Sequence, residues 1–115
     1  MKIKLDFITN SSSTAFMIKN ISNKKLNLTD FVLENLFLLN DWLIIYDWYA
    51  GDKRYTPVRL LESAADNNII FPPKQARRCV FGDEDGTIIG HVYDYMLRDG
   101  GKSKSFTWQF HEHLR

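Results

Sequence analysis

The last third of the chain constrains the fold most, because every joint in it is signalled locally. Phe81-Gly82-Asp83-Glu84-Asp85-Gly86 is turn-rich, Thr87 to Arg98 is helically periodic, and Gly100-Gly101 interrupts. Phe106, Trp108 and Phe110 then fall on alternate positions. The order is strand, turn, helix, turn, strand. On the helical stretch Ile88, Val92 and Met96 align, as do Ile89, Tyr93 and Leu97. The opposite, outer face carries Thr87, Gly90, His91, Asp94, Tyr95 and Arg98. Asp94 and Arg98 are spaced for an i,i+4 pair. Asp85 or Thr87 is expected to cap this helix, and Asp99-Gly100-Gly101 to stop it with a glycine. Gly90 in mid-helix costs about 1 kcal/mol against alanine, so another element is expected to pass close there. The final strand sets Lys104, Phe106, Trp108 and Phe110 on one face, which is expected to pack on the preceding helix. Ser105, Thr107, Gln109, His111 and His113 take the other.

Alternation also opens the chain. Ile3, Leu5 and Phe7 point one way, Thr9 to Ser13 reads as a turn, and Phe16 and Ile18 resume the pattern. A β-hairpin is the simplest reading, with Asn10 best suited to a positive φ. Residues 20 to 27 read as loop, followed by a helix with Thr29 as N-cap. Between Phe31 and Trp48 nearly everything is apolar, save a stripe at Asp30, Glu34, Asp41 and Trp48 with spacings of four, seven and seven. That spacing predicts one continuous helix over 30–48, in preference to a break at Asn40-Asp41 and a strand from Trp42 to Tyr49. Thr56-Pro57 starts another helix, running to about Asp66, with Val58, Leu61, Ala64 and Ala65 on its apolar face. Ile69 to Phe71 fits a short strand closed by Pro72-Pro73. The fold class is therefore α+β. A small, mostly antiparallel sheet, built from an N-terminal hairpin and the C-terminal strand, is packed by about three helices.

Composition narrows the possibilities. The 115 residues are 44% apolar and 25% charged, which suits a single α+β domain over 1–115 with one core and argues against disorder. Cys79 stands alone, so an internal disulfide is impossible, and Val80 and Phe81 beside it point to a buried strand cysteine. The net charge of +1 lacks the excess of a typical nucleic-acid binder. The longest apolar run, Phe31 to Ala50, contains Glu34, Asp41 and Asp47, too many acids for a membrane span. The alternating start, Met1 to Phe7, does not have the form of a signal peptide. A soluble, cytoplasmic protein is expected.

Asp6-Phe7-Ile8-Thr9-Asn10-Ser11-Ser12-Ser13, followed by Phe16, resembles the opening of small uncharacterised proteins of bacteria and phages. The C-terminal stretch from Phe81-Gly82-Asp83-Glu84 through Tyr95-Met96-Leu97-Arg98 to Phe106-Thr107-Trp108-Gln109-Phe110 is similar to some of them. Thr14-Ala15 interrupts what is often a longer serine run in that group. The resemblance implies an intracellular bacterial or phage origin. It brings no activity and no catalytic residue.

Several chemical motifs fail on spacing or context. Gly101-Lys102-Ser103 has the tail of a P-loop, but Met96 occupies the first glycine's position and the turn runs from helix to strand. Asp83-Glu84-Asp85-Gly86 suggests a calcium loop, yet Phe81 and Val92 fall where the first and twelfth ligands belong. His111 and His113 lie about 7 Å apart on one strand face by strand rise, weak metal candidates with no third ligand near. The serines at 11–13 have no nucleophile elbow to present them. No cofactor is implied.

Three readings remain. The first is a protein-interaction module, binding another protein (such as a host complex that a phage or bacterial modulator would target) or a second copy of itself. Its anchors would be Trp42, Trp48 and Tyr49, because large aromatics dominate interfaces. The second is nucleic-acid binding through Lys24, Lys25, Lys53, Arg54, Arg77 and Arg78. The third is a small hydrolase or transferase using His91, Asp94 and Arg98, which requires those side chains to line a concavity.

Overall fold

The computed structural model describes residues 13–67, 69–82 and 87–114. The first hairpin strand, Asn10, Ser11, Ser12 and the turn from Asp83 to Gly86 lie outside them. The fold is α+β, as expected. In chain order come β1 (Ser13–Asn20), β2 (Leu26–Asn27), α1 (Leu28–Glu34), α2 (Phe37–Ile45), a 3-10 turn (Asp47–Tyr49) and α3 (Pro57–Asn67). Then follow β3 (Ile70–Phe71), β4 (Ala76–Gly82), α4 (Ile88–Met96), β5 (Gly101–Lys102) and β6 (Phe106–Leu114). The main sheet is antiparallel with order β4-β1-β6-β5, and β2 and β3 form a small second sheet. No helix among the described residues is long and apolar enough to cross a membrane.

The core-facing row of the sheet is Phe16, Ile18, Cys79, Phe81, Phe106 and Trp108, all buried. Phe31 of α1 stands edge-on to Phe106, Trp108 and Tyr93, with centroids 5.1, 5.2 and 5.6 Å away. The rings of the last strand thus meet α1 directly. Helix α4 contributes through Tyr93, which also meets Phe81 at 5.4 Å. Edge-to-face pairs of this kind add about 0.5–1.5 kcal/mol each beyond area burial.

The helix expected over 30–48 is broken. α1 ends at Glu34 and α2 begins at Phe37. Asn35, 1% exposed, turns its amide back to the Phe31 carbonyl at 3.0 Å and takes a non-helical backbone (φ −126°, ψ 39°). The Glu34 carboxylate is meanwhile drawn to the 103–105 turn, accepting from the Ser103 hydroxyl and from the Ser105 N–H. The regular acidic spacing is a coincidence across two helices. The alternative strand over 42–49 is absent too, since those residues are helix and 3-10 turn. α1 starts earlier than expected, capped by Asn27 rather than Thr29. Asn27 and Asp30 form a reciprocal capping box, each bond 2.9 Å. The loop before it holds β2 and is organised by buried Asn20, whose amide donates to Lys24 and Phe71 carbonyls.

Pro57 opens α3, as expected, but its buried residues are Leu60, Ser63 and Ala64, and Val58 is exposed. Ser63 is inside because its hydroxyl accepts the Ile89 N–H at the start of α4 (3.2 Å). Thr87 caps α4, accepting from the Gly90 N–H at 3.0 Å. An added Cβ on Gly90 would lie 2.7 Å from the Gly82 carbonyl oxygen, so β4 is the element passing close. The helix ends with Leu97 still in the right-handed region, and Gly100 takes the positive φ (+73°) two residues beyond the position where a capping glycine sits.

Candidate functional site

α2 and α4 pack side by side and leave a cleft of about 410 Å³ at one end. One wall comes from Trp42, Tyr46, Trp48 and Tyr49; the other from His91, Asp94, Tyr95 and Arg98. The first three of this second set fall at i, i+3 and i+4 on α4, one helical face, and Arg98 continues that spacing in the turn just past the helix end. The volume is within the usual range for small-ligand sites, roughly 300–1,000 Å³.

The floor is aromatic. Trp42, only 1% exposed, stacks on Tyr49 (centroids 5.0 Å, planes 21° apart) and stands edge-on to His91 at 5.2 Å. His91 Nδ1 lies 2.8 Å from the Tyr55 hydroxyl. Tyr46 stands edge-on to Trp48 and to Tyr95, at 5.3 and 5.6 Å. Trp48 is 69% exposed at the rim.

The polar wall is organised from beneath. Asp94, expected on the outer helix face, is buried. Its carboxylate accepts from the Thr14 hydroxyl on β1 at 2.7 Å and, more loosely, from Arg98 Nη2 at 3.4 Å. Arg98 Nε donates to the Asp94 carbonyl at 2.8 Å, and the guanidinium lies over the Tyr95 ring at 5.7 Å. The expected i,i+4 pair is therefore present. His113 extends the chain of contacts, its Nδ1 3.2 Å from the Thr14 hydroxyl.

That last contact corrects the expected placement of the strand histidines. The β1–β6 register shifts between Ala15 and Phe16, where Ala15 faces Glu112 and Phe16 faces Phe110. His111 is the extra residue of a bulge. Beyond it the alternation inverts, and His113 comes to the helix side beside Thr14. His111 and His113 do not share a face, and among the described residues no group of three or more metal-ligating side chains gathers.

Trp42 belongs to the core and cannot anchor a partner, whereas Trp48 can and Tyr49 is half-buried. Lys24 and Lys25 lie in the loop after β1, Lys53 and Arg54 in the loop before α3, and Arg77 and Arg78 on β4. Arg54 pairs with Asp52 (2.8 Å), holding that carboxyl down near a pKa of about 2. Arg78 reaches Glu112 at 3.4 Å, and Arg77 donates to the Ile70 carbonyl. The six cations thus lie on three separate segments, and three of them already have protein partners. Cys79 is buried, and burial pushes its thiol up to about 12, far from nucleophilic. Ser13 is buried on β1.

Tyr46, Tyr55 and Thr14 are site residues that sequence reasoning passed over, whereas Tyr95 was already grouped with His91, Asp94 and Arg98 on the outer helix face. Trp42, Tyr46 and Tyr49 are spaced i, i+4, i+7, a signal for one aromatic face, and Tyr95 sits beside Asp94 on the outer face already noted. Thr14 gave no signal, since its role depends on strand placement. No family model, curated protein or solved structure matches the chain.

Proposed function

We propose that the chain is a protein-interaction module that docks a partner on the outer face of α2. One observation carries this reading. Phe37, Asn40, Asp41, Ile44 and Ile45 are all exposed and fall at i, i+3, i+4, i+7 and i+8, a single helical face. Three of the five are large and apolar, and Ile44 is 76% exposed. Leu33 and Trp48 add exposed apolar surface just before and after the helix. A globular protein ordinarily turns such a face inward, and a run of exposed apolar side chains marks an interaction surface. Asn40 and Asp41 interrupt the face with polar groups that suit a partner released into water.

The resemblance of the chain's opening to small bacterial and phage proteins makes a bacterial lysate the place to look. The tagged protein should retain a defined protein, or self-associate in sedimentation, and the double variant Phe37→Asp, Ile44→Asp should lose that association while keeping its melting transition. A monodisperse monomer that retains nothing, or retention indifferent to both substitutions, contradicts the reading.

The cleft supports a second reading, a small hydrolase or transferase. His91, Asp94 and Arg98 line a concavity, the condition that reading needs. Turnover of activated esters or phosphoesters that His91→Ala abolishes would favour it. Nucleic-acid binding has less support, given how the cations are dispersed and paired.

A further inference from the structure

We propose that the cleft between α4 and the Tyr46–Tyr49 turn binds a small planar aromatic anion, its ring against the aromatic wall and its charge on Arg98. Three observations lead there. The first is the wall itself. Tyr46 stands nearly perpendicular to both Trp48 (85°) and Tyr95 (81°), so flat ring faces and ring edges meet at the mouth of the cleft. Trp48 has most of its surface in solvent there. Such surfaces select flat, unsaturated ligands, which stack or pack edge-to-face at low entropic cost.

The second is the sign of the accessible charge. Asp94 and Arg98 form a pair, but unequally exposed: the Asp94 side chain is 7% accessible and that of Arg98 36%. The short bond to the Asp94 carboxylate comes from Thr14 at 2.7 Å, the contact from Arg98 being the longer at 3.4 Å. The acid is thus satisfied from the sheet below, and the guanidinium is the charge that an occupant meets. A cationic ligand would be repelled, although aromatic cages of this composition otherwise suit cations.

The third is preorganisation. Arg98 is held by its Nε bond to the Asp94 carbonyl and by the Tyr95 ring, so few rotamers are lost when an anion binds. A carboxylate can then take a charge-assisted, two-point contact from the guanidinium. The inference requires neither turnover nor the α2 interface: loss of partner capture leaves it standing, and its own failure leaves that interface standing.

The three tryptophans provide the test. Trp42 and Trp48 line the cleft, whereas Trp108 packs against Phe31 and serves as an internal reference. Indole side-chain N–H resonances of the wild-type protein would be followed during titration with indole-3-acetate, indole-3-acetamide and cyclohexylacetate. Indole-3-acetate should shift the Trp48 and Trp42 signals and leave Trp108 in place. The amide, lacking charge, and cyclohexylacetate, lacking a flat ring, should each bind about tenfold more weakly or worse. Arg98→Gln should reduce indole-3-acetate affinity to that of the amide. Equal affinity for the acetate and either analogue, equal shifts at Trp108, or no shift at about 10 mM ligand would overturn the proposal on the wild-type protein alone.

Discussion

The hydroxyl of Thr14 on β1 donates to the carboxylate of Asp94 on α4 at 2.7 Å, joining residues eighty positions apart. Through this bond the sheet sets the polar wall of the cleft. The Asp94 main-chain carbonyl holds the Arg98 guanidinium by its Nε, and Thr14 supplies a donor to the buried Asp94 carboxyl group. A carboxyl group is tolerated inside a protein only when its oxygens have such hydrogen-bond partners.

Replacing Thr14 by valine keeps the shape and removes the donor. We expect a loss of about 1–3 kcal/mol in unfolding free energy, measured by urea denaturation. Thr14→Ser should lose less, because it keeps the hydroxyl. A neutral Thr14→Val would mean that Asp94 draws its support from elsewhere.

The same hydroxyl fixes the tautomer of His113. Thr14 has one proton, and it points at a carboxylate that can only accept. The remaining contact, at 3.2 Å, then needs a proton on His113 Nδ1. Long-range nitrogen–carbon-proton NMR spectra at neutral pH should show the Nδ1–H form of His113, and the Thr14→Val variant should relax toward the Nε2–H form. A dominant Nε2–H tautomer in the wild type contradicts this bond.

Glu34 supplies a pH-dependent contribution. Burial by itself would raise its pKa. Hydrogen bonds from Ser103 and Ser105 outweigh that effect and hold it below the ordinary value. The ionised form is therefore the one the fold prefers. Its stabilisation is complete above the ordinary carboxylate pKa and fades as pH falls through the lowered folded value. Glu34→Gln should cost about 1 kcal/mol near neutral pH. The difference between the two proteins in thermal melts should shrink on acidification below about pH 4. A gap that widens in acid would show the sign to be wrong.

Gly90 exchanges helix propensity for proximity. Alanine would gain about 1 kcal/mol in an open helix, but its Cβ would sit 2.7 Å from the Gly82 carbonyl and 2.6 Å from the capping Thr87 hydroxyl. We expect Gly90→Ala to destabilise by roughly 1–3 kcal/mol net, as overpacking does. A stabilised variant would mean that α4 lies farther from β4 than the 2.7 Å approach of that Cβ to the Gly82 carbonyl implies.

Much of the fold was legible because local chemistry and tertiary structure agree. Thr87 at the cap, Pro57 at the start of α3, the glycine needed at position 90 and the buried Cys79 all follow from residue type and spacing. Several of the failures share a cause, a side chain recruited by a distant segment. Asn35 ends α1 while Ser103 and Ser105 hold Glu34, and neither partner is visible from the local pattern. Ser63 points inward because α4 needs its oxygen. The bulge at His111 reverses every later side chain of β6, so His113 lands beside Thr14.

The cleft was half legible. His91, Asp94 and Arg98 share a helix face, and they do line a concavity. The depth of Asp94 was not visible, because it depends on Thr14. The outward face of α2 was hidden for a different reason. Apolar residues surround that helix on nearly all sides in sequence, so pattern alone cannot say which of them stay in water. Trp42 went to the core and Trp48 to the surface, though both are aromatic residues of one segment.

The interface on α2 is tested most directly by site-specific photocrosslinking in bacterial cells. A benzophenone side chain would be placed at Ile44, on the exposed apolar face, and separately at Glu62, on the exposed side of α3. The interface reading requires a discrete adduct at position 44, with one partner or a second copy of the chain, and none at 62. Adducts of equal yield at both positions, or none at 44, would contradict it.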